Sequence, residues 1–534
     1  MKRIRRCLRV TAPAGIALIF LFLLAQGCGR RGAVQIAILH TNDLHGHVLS
    51  EKVQACPVPM GGYAVFASWV EKQRKENARR GIPTLLLDAG DIFSGTPEGN
   101  LNKGAGVAEL MNAVGYDAMA LGNHEFDDGY YNLKELAKRA SFPFLGANAV
   151  WKKSGDVLDF ARPYLLKELG GLKIGIIGVV TPETGMITLS RHVERIVFQP
   201  PAPAVSSCRD RLRAEGAALI VVLSHLGKED DVALAREVDG LGVIIGGHSH
   251  DLIARPLREG KSRTLICQAG AYGQYAGRLD LWIDRATGEV RDYRYQIFVN
   301  REQVFPKDLA IDRLLDRLAE EVGPEYQQTI GLAIKDIASA DRTESLLGDM
   351  ICDAMREKTG AQIAFQNAYG IRAPLLAGEI TRRDVFEVLP FEDQVVVMKL
   401  TGDQIKEALE QSFSLKKGML QVSGLAAGYD SAQPAGKRLT SLAIGGAPVE
   451  DGKEYTVATN GFLAAGGDYF STFTRGKDAK ETGVLLRDAF AEYLKAHSPF
   501  YRQDFAPSRL LPSRGSAGRE SLFLNKVQRI RAAS

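Results

Sequence analysis

Histidine, aspartate and asparagine side chains are concentrated in five short stretches of this chain. Imidazole nitrogens and carboxylate oxygens are ligands that Zn, Mn, Fe and Co bind in proteins. No cysteine stands inside these stretches, which argues against a structural zinc site of the thiolate type. The chemistry on offer is therefore metal coordination by nitrogen and oxygen. The stretches are His40-Thr-Asn-Asp43-Leu-His45-Gly-His47, Asp88-Ala-Gly-Asp91, Gly122-Asn123-His124-Glu125-Phe-Asp127, Ser224-His225 and Gly246-Gly-His248-Ser-His250.

The spacing inside two of these stretches suits coordination. Residues i and i+2 of an extended segment face the same way, so Asp43 pairs with His45, and His248 pairs with His250. A lone Asp-x-His at the end of a strand is more often a hydrogen-bonded turn than a pair of ligands. Because all five stretches occur in order, each after an apolar run, their coincidence predicts one shared metal site.

The apolar runs before the five stretches predict the elements that position them. Continuous apolar runs suit strands that are buried on both faces, so we predict an α/β layered domain. In α/β sheets, ligands gather at the carboxyl ends of the strands, and the five loops can therefore converge on one cleft. The runs are Ile36–Leu39, Leu85–Leu87, Ala118–Leu121, Val221–Leu223 and Val243–Ile245.

The five stretches resemble the sequence blocks of the binuclear metallophosphoesterases. The segments Ile38–Gly46 and Gly122–Asp127, together with a second domain, narrow the resemblance to the 5′-nucleotidase family. It covers nearly the whole mature chain. The resemblance implies an α/β fold, with a four-layer α/β/β/α metallophosphoesterase domain followed by a smaller α/β substrate-binding domain.

The resemblance also implies a ligand set for two divalent metal ions, which are Zn, Mn, Co or Fe. Some relatives carry Gln where this chain has His250. The implied first metal site is Asp43, His45 and His250, the second is Asn123, His225 and His248, and Asp91 bridges them.

This ligand set predicts a reaction. Two carboxylates against two divalent ions leave a net charge of +4 − 2 = +2, which attracts a phosphate dianion. Two metals about 3.5–4 Å apart support in-line attack by metal-bound hydroxide. By resemblance, His124 is the catalytic histidine, which stabilises the transition state or protonates the leaving oxygen, and Asp127 orients it. We expect supporting or solvent-facing roles for four further residues, which are His47, Asp88, Glu125 and Asp128.

The second domain carries blocks that resemble the substrate-binding segments of the family. Asn367-Ala-Tyr-Gly370-Ile-Arg372 is similar to an Asn-x-Gly-Gly-x-Arg block, and Arg372 is expected to hold phosphate. Arg342 is a second candidate for the same role. Phe470, in Gly466-Gly-Asp-Tyr-Phe470, is expected to stack on a base. Met419 stands where a partner aromatic is expected, which leaves base specificity open.

Length and charge bound the organisation of the chain. Its 534 residues are too many for one core, and its net charge of +4 does not indicate a nucleic-acid binder. The expected partner is a nucleotide or nucleotide sugar and not a nucleic-acid polymer, while the oligomeric state stays open. The predicted division is a lipoprotein-type signal peptide at 1–28, a catalytic domain at 33–300, a helical linker at 301–330, a substrate-binding domain at 331–512 and a basic tail at 513–534.

The N-terminus predicts export. A basic start and the apolar run Ala14–Ala25 precede Gly27-Cys28, and the run is shorter than the about 20 apolar residues of a membrane span. Cys28 resembles a lipoprotein cleavage site, where the cysteine becomes lipid-modified. The alternative is an ordinary cleaved signal, in which Cys28 is incidental. We therefore expect a periplasmic or cell-surface protein whose membrane contact is limited to a lipid at Cys28.

The function predicted from the sequence is hydrolysis of nucleotide phosphate esters outside the cytoplasm, by a 5′-nucleotidase, a UDP-sugar hydrolase or a 2′,3′-cyclic phosphodiesterase. One alternative keeps the two metals but assigns another anionic substrate, such as the sulfur-bridged ester of a thiosulfohydrolase. The other is a non-enzymatic surface protein that reuses the fold.

Overall fold

The computed structural model describes residues 32–54, 56, 58–303, 305–415, 418–500 and 508–513. The predicted signal peptide with Cys28, and the predicted basic tail beyond residue 513, lie outside the described residues. Within the described ranges, no helix combines the length and the apolar character needed to cross a membrane.

Two six-stranded mixed sheets form the centre of the N-terminal half. Four neighbouring strands in each sheet are parallel, and the other two join by antiparallel pairing. The first sheet has the order Val290–Val299, Tyr275–Asp284, Ala33–Thr41, Thr84–Asp88, Ala118–Ala120 and Phe144–Leu145. The second has the order Leu257–Glu259, Thr264–Cys267, Val243–Gly246, Leu219–His225, Leu172–Val180 and Tyr164–Leu169.

Side chains of the central strands alternate between two apolar layers because successive residues of a strand point to opposite faces. Ile36 and Val221 pack in the layer between the two sheets. Leu39, on the other face of the first sheet, packs under one set of helices, and Val222 packs under the opposite set. Both faces of each sheet are therefore covered, which explains why the strands are apolar throughout.

Helices cover the outer faces of both sheets and complete a helix–sheet–sheet–helix arrangement. The predicted α/β layering is confirmed. The helix Tyr63–Arg79 buries Phe66, Trp69 and Val70. The helices of this half are Tyr63–Arg79, Pro97–Asn100, Ala105–Val114, Gly129–Arg139, Thr184–Ile187, Ser190–Val193, Pro201–Ala214 and Lys228–Glu237. Short strand pairs are Ser50–Glu51 with Met60–Gly61, and Ala149–Trp151 with Ile196–Phe198.

The segment between the two halves carries the helix Leu309–Val322. Its first turn is capped by the Asp308 carboxylate, which accepts from the backbone N–H groups of Ala310 and Ile311. Its buried face packs on the helices beside the first sheet, so the helix belongs to the first core and is not a free spacer.

The C-terminal half is a second α/β unit with two cores, one on each face of a five-stranded sheet. A capping box begins the helix Gly402–Ser414, since the Thr401 hydroxyl accepts from the Gln404 N–H and the Gln404 side chain accepts from the Thr401 N–H. The sheet order is Gln421–Ser423, Ile363–Gln366, Glu454–Asn460, Gln394–Thr401 and Lys477–Leu485. Its helices are Leu346–Thr359, Arg382–Val388, Gly402–Ser414, Gly461–Ala464 and Leu486–His497.

Smaller strands complete the second half. Thr329–Ala333 pairs with Gly378–Thr381, and a four-stranded sheet has the order Ala447–Pro448, Leu439–Ile444, Leu425–Tyr429 and Leu510–Pro512. Short 3-10 turns across the chain are His124–Phe126, Pro324–Gln327, Ala368–Gly370, Gly467–Tyr469 and Ser471–Arg475.

Candidate metal centre and substrate cleft

The five polar loops follow the carboxyl ends of parallel strands from both sheets and meet in one place. Asp43, His45 and His250 form one group, whose ligand atoms lie within 4.8 Å of one another. His45 Nε2 lies 3.1 Å from His250 Nε2, which in turn lies 3.4 Å from Asp43 Oδ1. Two imidazole nitrogens and a carboxylate oxygen thus point at a common centre.

A second group, Asp91, His225 and His248, has the same compactness. His225 Nε2 lies 2.9 Å from Asp91 Oδ2, and the same oxygen lies 3.8 Å from His45 Nε2 of the first group. Asp91 therefore stands between the two groups. The two clusters fit a binuclear metal site.

An unpaired atom in the cleft supports this fit. The side-chain oxygen of Asn123, which lines the same cleft as Asp91 and His248, is buried and has no hydrogen-bond partner among the described residues. Buried polar atoms are almost always paired, so an orphaned oxygen in a cleft lined by histidine and aspartate is suited to a cation. The chemistry of the donors agrees, because all are nitrogen or oxygen.

Hydrogen bonds to neighbouring groups orient several of the predicted ligands. The His45 Nδ1 lies 3.2 Å from the Ser94 carbonyl oxygen, and the His225 Nδ1 lies 2.7 Å from the Ala89 carbonyl oxygen. Both contacts favour the tautomer with a proton on Nδ1, which leaves Nε2 free to coordinate. The Asn42 amide donates to Asp43 Oδ2 at 2.7 Å and fixes that carboxylate.

The backbone at the ligands is strained. Five predicted ligands have positive φ, a region that side chains other than glycine rarely adopt. Strain of this kind persists only where the surrounding structure enforces it, and it concentrates at functional sites. The values of φ are 52° for Asp43, 49° for His45, 60° for Asp91, 71° for His248 and 55° for His250.

Burial and nearby charges shift the pKa values of the clustered side chains in different directions. Burial lowers the pKa of His248 to about 3, so its imidazole is neutral. Burial alone would raise the pKa of Asp91, but His225 and His124 outweigh it and hold that pKa well below its ordinary value. Burial also lowers the pKa of His225, yet Asp91 and Asp43 raise it to about 10, which reflects a strong negative field at that ring.

His124 lies beside both groups. Its Nδ1 is 2.7 Å from Asp127 Oδ2, as the predicted orienting role requires, and its backbone N–H donates to Asp91 Oδ1 at 2.8 Å. The His124 ring meets the His45 ring edge-on, with centroids 5.0 Å apart. Its Nδ1 is thus engaged by Asp127, which leaves Nε2 as the nitrogen available to a substrate.

A cavity of about 650 Å³ opens from these side chains to the C-terminal half. Asn367 and Arg372 line its far wall. The Arg372 guanidinium makes no hydrogen bond or ion pair with the described residues, and its charge acts on His45 and His124. A guanidinium that lines the same cavity and has no partner among the described residues is suited to hold a tetrahedral anion next to the clusters.

Comparison with known proteins agrees with this geometry. Residues 36–252 match the model of the calcineurin-like phosphoesterases, and residues 327–475 match that of the 5′-nucleotidase C-terminal domain. The snake venom 5′-nucleotidase of Crotalus adamanteus is 30% identical over 92% of this chain and 91% of its own length. Protein UshA of Escherichia coli (strain K12) is 30% identical over 87% of this chain and 92% of its own length. The chain belongs to the 5′-nucleotidase family.

A solved structure shows that the similarity extends to the fold. The 5′-nucleotidase precursor from Thermus thermophilus superposes with a TM-score of 0.83 at 33% identity, covering 90% of this chain and 99% of that one. This 5′-nucleotidase family member is therefore a metallophosphoesterase with the hydrolase fold and the clustered ligands of that class.

Two predicted substrate residues of this 5′-nucleotidase family member lie away from the cavity wall. Arg342 is exposed and does not line the cavity. Phe470 is 0% exposed and packs against Phe473 in the core of the second half, so it offers no stacking face in this arrangement. Asp468 and Tyr469 have φ of 50° and 69°, and in this turn Tyr469 is 41% exposed while Phe470 fills the core of the second half.

Some residues that build the site were not singled out from the sequence. Asn42 joins two loops, since its amide donates to the Gly270 carbonyl at 2.6 Å and its oxygen accepts from the Ala269 N–H at 2.9 Å. The buried carboxyl of Asp231 accepts from the Ser224 hydroxyl and so supports the loop of His225. Asn42 could be noticed in the sequence as a polar residue of the stretch His40–His47, whereas no sequence pattern singles out Asp231.

Glu125 is a buried supporting residue and does not face solvent. Its carboxylate is fully buried and accepts from the backbone N–H groups of Asp91, Ile92 and Gly122 at 2.9, 2.9 and 2.6 Å. Burial raises the pKa of Glu125 to about 7. The residue thus ties the loop that carries Asp91 to the loop that carries His124.

Proposed function

We propose that this chain is an exported two-metal hydrolase that cleaves phosphate esters of nucleotides. Nucleoside 5′-monophosphates are the proposed first substrates, with UDP-sugars and 2′,3′-cyclic nucleotides as further ones. The supporting observation is a cavity lined by His250 of the first cluster, by Asp91 and His248 of the second, and by Arg372, whose guanidinium has no partner among the described residues. A phosphate ester in this cavity would meet both the proposed metal ions and the Arg372 guanidinium.

The two proposed metal sites take their ligands from the clusters. The proposed ions are divalent Zn, Mn, Co or Fe, because the donors are imidazole nitrogen, carboxylate oxygen and amide oxygen. When bound, two such ions lower the pKa of water and offset negative charge on the phosphoryl group. The ligands are Asp43, His45 and His250 for the first ion, Asn123, His225 and His248 for the second, and Asp91 between them.

The chain's own residues would divide the remaining work. Arg372 holds the phosphate from the opposite wall and orients the ester for in-line displacement. His124 Nε2 stabilises the transition state or gives a proton to the leaving oxygen, while Asp127 keeps the proton of Nδ1 in place. Asn367, whose amide donates to Asp468 Oδ2 at 2.8 Å, forms part of the wall beside the organic portion of the substrate.

A phosphate-release panel tests this function. The purified protein is loaded separately with Zn, Mn, Co and Fe and offered nucleoside mono-, di- and triphosphates, cyclic nucleotides and UDP-glucose. We expect phosphate from AMP with at least one metal and none from the Asp91→Ala variant. Release of sulfate from a sulfur-bridged ester, with no phosphate from any nucleotide, would support the alternative thiosulfohydrolase function and contradict this proposal.

Export and lipidation form a separate part of the proposal. The N-terminal signal pattern supports export, and so does similarity to a protein of snake venom. The lipid would be attached at Cys28 in the periplasm or at the cell surface. Expression in a bacterium with labelled fatty acid tests it: the full chain should carry label in the membrane fraction, and Cys28→Ser should not. Equal labelling of both proteins would exclude the assignment of Cys28.

A further inference from the structure

One short segment of the C-terminal half reaches across to the metal-binding half. Arg383, in the helix Arg382–Val388, donates two hydrogen bonds to the carboxylate of Glu98, at 2.7 and 2.6 Å. The two side chains are only 13% and 1% exposed, respectively. A buried, bidentate pair of this kind fixes both distance and orientation between the elements it joins.

The end of the same segment is held from both sides. The Asn100 amide of the metal-binding half donates to the Pro390 carbonyl at 3.2 Å. The Arg487 guanidinium of the C-terminal half donates to the Phe391 carbonyl, also at 3.2 Å. The position of the Phe391 backbone is therefore set by contacts to both halves of the molecule.

The side chain of Phe391 lies on the face of the His124 imidazole. The two ring centroids are 5.9 Å apart and the ring planes differ by 16°, which is a stacked arrangement. Asp127 engages the same imidazole in its own plane, through Nδ1. One contact thus opposes rotation of the ring about its hydrogen bond, and the other opposes movement within the plane.

We propose that Phe391 is a positioning residue, supplied by the C-terminal half, that holds the His124 imidazole in the orientation its role in phosphoester hydrolysis requires. The proposal deepens the proposed function and rests on it. It also has a structural consequence. The His124 imidazole has both supporting contacts, from Asp127 and from Phe391, only when Glu98 and Asn100 hold the second half in place. Hydrolysis is then coupled to the arrangement of the two halves.

Kinetics of Phe391→Leu on AMP test the proposal. We expect kcat to fall about tenfold, a part of the 10²–10⁴-fold that a positioned acid supplies, with little change in KM. Phe391→Tyr, which keeps the ring, should retain most of kcat. Phe462→Leu is the matched control, because Phe462 lines the same cavity without a stacked contact to His124, and its effect should fall mainly on KM.

A double-substitution cycle separates positioning from general damage. In a His124→Ala background there is no imidazole to orient, so Phe391→Leu should cost almost nothing further. An equal fold loss of kcat in both backgrounds would overturn the proposal. So would a Phe391→Tyr variant as slow as Phe391→Leu.

A measurement without turnover gives an independent readout. Deuterium exchange at the imidazole Cε1–H of His124, followed in the tryptic peptide 104–134 where it is the sole histidine, should quicken in Phe391→Leu. His497, in the peptide 496–502, should exchange as in the parent chain. Unchanged exchange at His124 contradicts the proposal. A parent chain that releases no phosphate with any metal contradicts instead the proposed function, and the exchange experiment still decides the contact.

Discussion

Most of the proposed ligands have a strained backbone conformation that the surrounding structure must enforce. Non-glycine residues in the left-handed region cost roughly 1–2 kcal/mol each, and five of the seven proposed ligands lie there. Buried hydrogen bonds hold these residues, such as the backbone N–H of His248, which lies 2.9 Å from Asp43 Oδ1. The proposed ligands are therefore held in place by the protein itself. Single substitutions should separate metal binding from catalysis.

Asp91 and His124 provide that separation. Asp91 stands between the clusters, so Asp91→Ala should lose metal and activity together. His124 is outside the proposed ligand set, so His124→Ala should keep the metal while kcat falls by about 10²–10⁴-fold. Elemental analysis of both purified variants, paired with phosphate release, checks this prediction. A His124→Ala protein without metal would show that this histidine is a ligand.

Arg372 and Arg342 form a matched pair of arginines. Arg372 lines the cavity without a partner among the described residues, whereas Arg342 is exposed outside it. Because a hydrogen bond to a charged group contributes about 1.5–3 kcal/mol, Arg372→Ala should lower kcat/KM for AMP by about 10- to 100-fold. Arg342→Ala should leave kcat/KM within about twofold, as expected for a solvated surface charge. Equal losses in the two variants would refute the assignment of Arg372.

At the scale of elements, the site depends on loops that pass very close to one another at the strand ends. Gly122 follows the strand Ala118–Ala120, and a Cβ there would stand 2.1 Å from Asp91 Oδ1 and 2.7 Å from the Asp91 backbone nitrogen. Glu125 then ties the two loops through their backbone N–H groups. Glycine is needed at this position for space, since its φ is not positive.

Gly122→Ala should therefore displace Asp91 and weaken metal binding, even though no ligand is removed. Gly452→Ala is the control, because a Cβ at that position would have no neighbouring atom within 4 Å and the φ of Gly452 is also not positive. Titration calorimetry with Mn or Zn should show weaker binding by Gly122→Ala and unchanged binding by Gly452→Ala. Parent-like affinity in Gly122→Ala would mean that the loops relax without moving the carboxylate.

At the scale of the whole molecule, the second half contributes the opposite wall of the cavity and a ring against His124. A buried ion pair, Glu98 with Arg383, joins the halves near this point. Removing one partner of a buried pair costs more than removing one partner of an exposed pair, because water solvates the remaining charge less well when it is buried. Comparing a buried pair with an exposed pair therefore tests how much the buried pair contributes to the free energy of unfolding.

Glu98→Gln should lower the free energy of unfolding by about 1.5–3 kcal/mol, because the Arg383 guanidinium loses its bidentate carboxylate while the Glu387 carboxyl remains 3.0 Å from Arg383 Nε. Glu109→Gln is the matched control, since its pair with Arg317 is exposed, with side chains 54% and 49% accessible. It should change the free energy of unfolding by at most about 1 kcal/mol. Denaturant unfolding of both variants measures the difference, and similar values for the two would show that the interface does not depend on the buried pair.

Much of the fold could be predicted from the sequence because its causes are local, whereas the proposed ligand set came from the resemblance to a family. The i and i+2 spacing of an extended segment does not explain how Asp43 and His45 come together, since both have positive φ, but apolar runs do predict strands with both faces covered. The capping box at Thr401 is likewise a relation between residues three apart. Such patterns are set by backbone periodicity and need no knowledge of distant segments.

Tertiary packing decided the rest, for a physical reason that no local pattern contains. Whether Tyr469 or Phe470 is exposed depends on which ring fills the core of the second half, and the structure buries Phe470. Asp231 supports His225 only because a helix returns its carboxyl to Ser224. Phe391 and His124 are 267 residues apart in sequence (391 − 124). They meet only because a buried ion pair joins the two halves. Long-range contacts of this kind are set by the free energy of the whole packed molecule.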